Sequence, residues 1–264
     1  MTKEDPAWVA YFAKSDIHYC VPGMNDVRVR RNLLAKRDIG KSLSFDLYPA
    51  TSHRATSVAP VVILIHGGPI SLDWTTTPRH WRAFQSVGEL LAASGLNAVM
   101  FDHRFHQREE TGAAIDDIEF MLAHIGANAA GLGVDGSRLC LWAFSRGGMF
   151  LARYLKDPPS ALRCLVAFYA ALDADKPELS LAYQVEASTG RLPPMLIAAA
   201  GLEDVPGFKN GLNRFVNAAL SRNLPLDLMI HAGGRHGFDV FDDDERTRDI
   251  LRRTIEFLQK HLER

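Results

Sequence analysis

The chain of 264 residues carries 30 Lys and Arg against 31 Asp and Glu, a net charge of −1, and 47% of its residues are hydrophobic. That balance excludes a disordered or fibrous chain, and the near-neutral charge gives no footing for nucleic acid or an anionic membrane surface. Cys20, Cys140 and Cys164 are too few and too scattered for a disulfide framework, and no apolar run nears the roughly 18 residues of a membrane span.

The N-terminus carries Lys3, Glu4, Asp5 and Pro6 and lacks the apolar core of a secretory leader, so a cytoplasmic protein is expected. Residues 1–26 mix aromatic and polar side chains without a period and read as an N-terminal arm with one short helix. Residues 27–30 and 42–48 alternate around Gly40, as an antiparallel strand pair at a sheet edge does. Residues 61–65 are continuously apolar and β-branched, the pattern of a strand covered on both faces, and they run into His66-Gly67-Gly68-Pro69.

Thr77-Pro78 offers an N-cap followed by proline at the first helical position, and Trp81, Phe84, Val87, Leu90 and Leu91 keep helical spacing as far as Gly95. A buried strand is expected over 96–101, a helix over 112–130, and a strand over 139–144. Further strands are expected over 162–169, 195–200 and 224–230, with helices over 205–220 and from Asp242 to the C-terminus. Acidic residues 242–245 fit the first turn of that last helix, where they complement its dipole. Strands alternating with helices from residue 61 onward call for a mainly parallel sheet of about eight strands with helices on both faces. Residues 27–264 are expected to form one domain, with a short cap segment near 170–194.

The chemistry centres on Ala143-Phe144-Ser145-Arg146-Gly147. An apolar strand that stops at a serine and turns at once into a helix is a nucleophile elbow. The serine takes a strained backbone conformation, so its neighbours two positions away must be small, and Ala143 and Gly147 are. The same pentapeptide would also serve as a bare turn, so Ser145 matters only with partners in reach. His236, in the glycine-rich run 233–237 after the last strand, is the candidate base. Glu203 and Asp204, after the preceding strand, are the candidate acids, with the shorter Asp204 preferred. The loop His66–Pro69 is the candidate oxyanion hole. Pro69 has no N–H, so Gly68, with Gly67 beside it, is the expected donor together with the N–H of Arg146. Groups at the carboxyl ends of parallel strands converge on one crevice, and the order Ser, Asp/Glu, His suits such a sheet.

Through His66-Gly67-Gly68-Pro69, Ala143-Phe144-Ser145-Arg146-Gly147 and Arg235-His236-Gly237-Phe238 the chain resembles the α/β-hydrolase superfamily over roughly residues 25–262. Within it, the chain is most similar to the small esterase and dienelactone-hydrolase-like branch, although dienelactone hydrolases use cysteine where Ser145 stands. The resemblance implies an α/β-hydrolase fold and an acyl-enzyme on Ser145 with His236 as base, and it implies no metal or organic cofactor. A small-molecule ester is the implied partner, with neither nucleic acid nor membrane, and a homodimer is left open. Two other readings compete: a serine peptidase, and a non-catalytic binding protein that kept the fold. His103 and His106 lack further ligands at metal spacing and read as pocket wall, while Trp74 and Trp81 read as core.

Overall fold

The computed structural model describes residues 6–37, 40–51, 58–107 and 109–263. Residues 1–5 of the expected arm lie outside them. The chain forms two compact units, one of residues 1–64 with 69–136, the other of residues 65–68 with 137–264.

In the first unit, α1 (Pro6–Lys14) is the short helix expected of the arm. Its Trp8 and Phe12 rings stack at 4.1 Å, and Phe12 meets buried Trp81 edge-on at 6.5 Å. The antiparallel pair is β1 (Arg30–Ala35) and β2 (Leu43–Tyr48). β1 begins where the alternating stretch 27–30 ends, because an irregularity between Arg30 and Leu33 resets the register. There Asn32 takes φ +55°, and its N–H bonds to Asp46 Oδ1 at 2.8 Å. β3 (Pro60–Ile65) is buried throughout. The helix expected from Thr77 starts later, as α2 (Arg82–Ala93); Pro78 opens a separate 3-10 turn over Pro78–His80. The Thr77 hydroxyl, rather than capping, donates to Asp102 at 2.7 Å. β4 (Asn97–Phe101) pairs parallel with β3 and antiparallel with β2. α3 (Thr111–Ala127) is followed by one turn, α4 (Ala129–Leu132), which Gly133 ends at φ +76°.

In the second unit, β5 (Asp135–Phe144), β6 (Leu162–Phe168), β7 (Met195–Ala200) and β8 (Leu226–His231) pair in parallel, in that order. β7 is buried from end to end and β6 at every position but Arg163, which is why β7 reads as an unbroken apolar run and β6 as one from Cys164 onward. Between them lie α5 (Ala152–Lys156), α6 (Leu181–Ala187) and α7 (Phe208–Ser221); α6 is the one α-helix of the expected cap segment. The turn α8 (Phe238–Phe241) precedes α9 (Glu245–Leu262). α9 starts where its chemistry dictates. Asp244 caps it by accepting the Thr247 N–H at 2.8 Å, a contact worth about 1 kcal/mol. Ile250, Leu251, Ile255, Leu258 and Leu262 form its buried stripe.

An aromatic layer runs beneath the ends of these strands. Trp142 packs on Phe144 at 5.4 Å and on Phe168 at 4.9 Å, and Phe168 reaches Phe238 at 5.6 Å. Each such pair adds about 0.5–1.5 kcal/mol beyond its buried area.

Candidate active site

β5 delivers Ser145 to a sharp corner. Phe144 is still extended (φ −120°), and Ser145 turns to φ +56°, the left-handed region that costs a non-glycine residue about 1–3 kcal/mol. The 3-10 turn Ser145–Leu151 follows, and only then does α5 begin, so the elbow leads into a tighter helix than expected. Ser145 is buried, and its carbonyl accepts the Ala171 N–H at 2.9 Å.

The glycines around it answer to close approach. A Cβ on Gly147 would run into the His66 carbonyl oxygen and lie 2.9 Å from that of Ile65. One on Gly148 would stand 2.6 Å from the Ala170 Cβ. One on Gly67 would lie 2.7 Å from the Ser145 Cβ and 3.0 Å from its Oγ. The loop after β3 therefore presses its backbone directly on the serine.

That loop is held in a defined orientation. Nδ1 of His66, which is 1% exposed, lies 2.5 Å from the Gly67 carbonyl oxygen. A carbonyl only accepts, so Nδ1 carries the proton and donates it. In a trans peptide the Gly68 N–H then points the opposite way from the pinned carbonyl. The Arg146 guanidinium donates to the next carbonyl, Gly68 O, at 3.5 Å.

The imidazole of His236 has a carboxylate on one nitrogen. Its Nδ1 meets Glu203 Oε2 at 2.6 Å, with the two side chains 6% and 5% exposed. Glu203 Oε1 accepts the Val205 N–H at 3.0 Å. Asp204, the carboxylate preferred on the sequence, is exposed, and that preference is corrected. The cause lies in the crossing of two loops. The Gly201 N–H donates to His231 O at 2.8 Å and the Leu202 N–H to Gly234 O at 2.9 Å. Gly201 lies so close to the Ala232 carbonyl that a Cβ would collide with it, and a Cβ on Gly234 would come within 2.5 Å of the His231 ring. Stitched this way, the loop after β7 turns residue 203 inward and residue 204 to solvent.

Two more side chains stand at the imidazole. The Tyr169 ring packs edge-on against it at 4.7 Å and the Phe208 ring at 5.8 Å. Tyr169, the first residue past β6, sits at φ +37°, a second strained position beside Ser145. Its hydroxyl donates to Asp239 Oδ1 at 2.9 Å. Burial pushes the Asp239 carboxyl up to about 7, although the Tyr169 hydroxyl and the Val240 N–H favour its charged form. Burial, and after it the charge of Asp239, raises the Tyr169 phenol well above its ordinary value. Neither residue stood out in the sequence; the available signal was that Tyr169 ends a strand beside Ala170-Ala171, and that Asp239 is an acid amid apolar neighbours.

Of the other expected residues, His106 bonds through Nδ1 to the Ile70 carbonyl at 3.0 Å, and His103 and Trp81 are buried. Among the described residues, no helix is long and apolar enough to cross a membrane.

The family model BD-FAE matches residues 45–155. No curated protein matches the sequence. Among solved structures, the chain is similar to esterase LipW from Mycobacterium marinum, at 19% identity and a TM-score of 0.73, over 89% of this chain and 82% of that one. It is similar to esterase 2 of Thermogutta terrifontis, at 19% identity and a TM-score of 0.70, over 90% of this chain and 96% of the other. Esterase rPPE, at 16% identity, gives a TM-score of 0.73 over 92% and 86%. With eight strands among the described residues, mostly parallel pairing and helices between them, the chain has the α/β-hydrolase fold.

Proposed function

We propose that the protein is a serine hydrolase that cleaves esters of small to medium acyl groups through an acyl-enzyme on Ser145. The buried contact between His236 Nδ1 and Glu203 carries this reading. A carboxylate there fixes the tautomer that leaves Nε2 able to take a proton and stabilises the imidazolium that results. In the proposed cycle His236 removes the Ser145 proton as Oγ attacks the ester carbonyl. The negative charge on the carbonyl oxygen falls to the N–H groups of Gly68 and Arg146, each worth about 2.7–4 kcal/mol. The tetrahedral intermediate expels the alcohol, which takes the proton from His236. Water, activated by the same imidazole, then releases the acid and restores the serine. The chemistry uses side chains and backbone alone.

The structural neighbours support the choice of ester. All three are esterases by name, and a form of Thermogutta terrifontis esterase 2 is phosphorylated by paraoxon, a reagent of activated serines. Residues 27–264 are proposed to act as one catalytic domain, because these similarities span about nine-tenths of the chain. A reducing compartment such as the cytoplasm is proposed from the cysteines, all free, with Cys140 and Cys164 opposed across β5 and β6.

Hydrolysis of p-nitrophenyl acetate, butyrate and octanoate by the wild type and by Ser145→Ala tests the reading. Turnover that disappears in the variant supports it. Cleavage of an aminoacyl-anilide in preference to the esters would favour a peptidase. A folded wild type that turns over nothing and ignores a fluorophosphonate overturns it.

A further inference from the structure

We propose that Tyr169 and Asp239 form a positioning pair for His236, in which the buried Asp239 carboxyl anchors the Tyr169 hydroxyl and the Tyr169 ring holds the imidazole at the angle where Nδ1 meets Glu203. The inference rests on the hydrolase reading of Ser145 and His236, and it adds a second carboxyl that acts through the tyrosine.

Three observations converge on it. First, the contacts form one chain: Asp239 Oδ1 to the Tyr169 hydroxyl at 2.9 Å, the Tyr169 ring to the imidazole at 4.7 Å, and the imidazole to Glu203 at 2.6 Å. Tyr169, His236, Glu203 and Asp239 are all buried, so none is free to drift into solvent. Second, Tyr169 sits at φ +37°, a conformation an aromatic residue holds only where its surroundings impose it. Extended backbone would point the ring elsewhere. Third, the tyrosine is braced by two further rings, Phe238 meeting it edge-on at 5.5 Å and Phe144 tilted against it at 6.2 Å. A ring merely filling core would need no buried acid at its tip, since an apolar residue fills the same volume at lower cost.

The carboxyl also gives the pair an electrical role. Asp239 changes charge near neutrality, because burial pushes it up to about 7. The groups around it are Tyr169, just past β6, and Asp242, past α8 and itself held by Arg235 at 2.7 Å; Glu203, after β7, bears on Tyr169 in turn. On the Phe238 side stands His231 of β8, which bonds to Asp244 at 3.1 Å. Once ionised, Asp239 adds negative charge on the Tyr169 side of the imidazole and favours its protonated form, the form that general-base catalysis generates.

The test is Asp239→Asn and Tyr169→Phe, singly and together. Ester kinetics against pH are read beside an NMR titration of the His236 ring. Asparagine keeps an acceptor for the tyrosine and removes the charge; phenylalanine keeps the ring and removes the anchor. The expected result is kcat lowered on the order of ten-fold in each variant, a fraction of the roughly 10²–10⁴-fold a general base supplies, with KM little changed. The double variant is expected to lose no more than the worse single one. In Asp239→Asn the acid limb of kcat/KM moves to lower pH, and the His236 ring gives up its proton at lower pH. Folded variants with wild-type kcat, and a His236 titration indifferent to Asp239, overturn the proposal. So does a loss that scales only with melting temperature. The titration needs no turnover, so it decides the matter even if Ser145→Ala shows the hydrolase reading itself to be wrong.

Discussion

His66 donates its Nδ1 proton to the carbonyl of the residue that follows it, Gly67, at 2.5 Å. One side chain thereby sets the direction of the peptide whose N–H is the proposed oxyanion donor. Replacing His66 with Phe keeps the volume and removes the donor, so the peptide is free to turn. The expected outcome is a fall in kcat of about 10²–10³-fold, the loss of one oxyanion donor, with a smaller change in KM. Steady-state kinetics on p-nitrophenyl butyrate read it directly. A His66→Phe variant with wild-type kcat would remove His66 from the site.

Glu203 and Asp204 are neighbours in sequence and opposites in structure. Glu203→Gln leaves the imidazole beside a group that no longer dictates its tautomer, and kcat is expected to fall by about 10⁴-fold. Asp204→Asn touches only a solvated carboxylate and is expected to leave kcat within about two-fold, as surface changes do. Equal losses in the two variants would contradict the geometry.

The two small positions flanking Ser145 are not equivalent. Gly147→Ala drives a Cβ into the His66 carbonyl, a backbone atom that cannot step aside. Loss of about 1–3 kcal/mol or more of stability and most of the activity should follow. Ala143→Gly, inside β5, is expected to cost only the roughly 0.5–1 kcal/mol of added backbone freedom and to retain the proposed esterase activity. Thermal melts with a parallel esterase assay separate the two cases.

The raised carboxyl of Asp239 also makes a prediction for stability. Its folded value of about 7 exceeds the ordinary 3.8, so the native state binds this proton more tightly than the unfolded chain does. Its contribution is therefore full below pH about 4 and is lost as pH rises through about 7, by an amount on the order of a few kcal/mol. Asp239→Asn never ionises. Its melting temperature should gain on the wild type steadily from pH 4 to pH 7 and then hold level. A gain independent of pH would mean that Asp239 does not titrate in this range.

Much of this architecture was legible because burial writes itself into composition. Continuous apolar runs mark β3 and β7, the run after Arg163 marks β6, and the break from such a run into Ser145-Arg146-Gly147-Gly148 marks the elbow. Misreadings arose where a distant contact decides a local outcome. Alternation placed the first strand at 27–30, but the bond from Asn32 to Asp46 moves it on. Thr77 looks like a cap and instead bonds to Asp102, twenty-five residues away. The choice between Glu203 and Asp204 depends on the Leu202–Gly234 bond, across more than thirty residues, and nothing near residue 203 encodes it. The Tyr169–Asp239 bond has no local signature either, since seventy residues separate the two.

The stitching of the loops after β7 and β8 bears on how this scaffold could be diversified. Because Gly201 and Leu202 are bonded to His231 and Gly234, the carboxylate and the imidazole are inherited as a single cassette. Lengthening either loop would unpick both at once. Within segment 170–194, Ala170 and Ala171 are pinned to the Ser145 elbow, so new substrate ranges are most readily grafted beyond them, around the exposed residues 175–178, with the proposed catalytic groups carried along untouched.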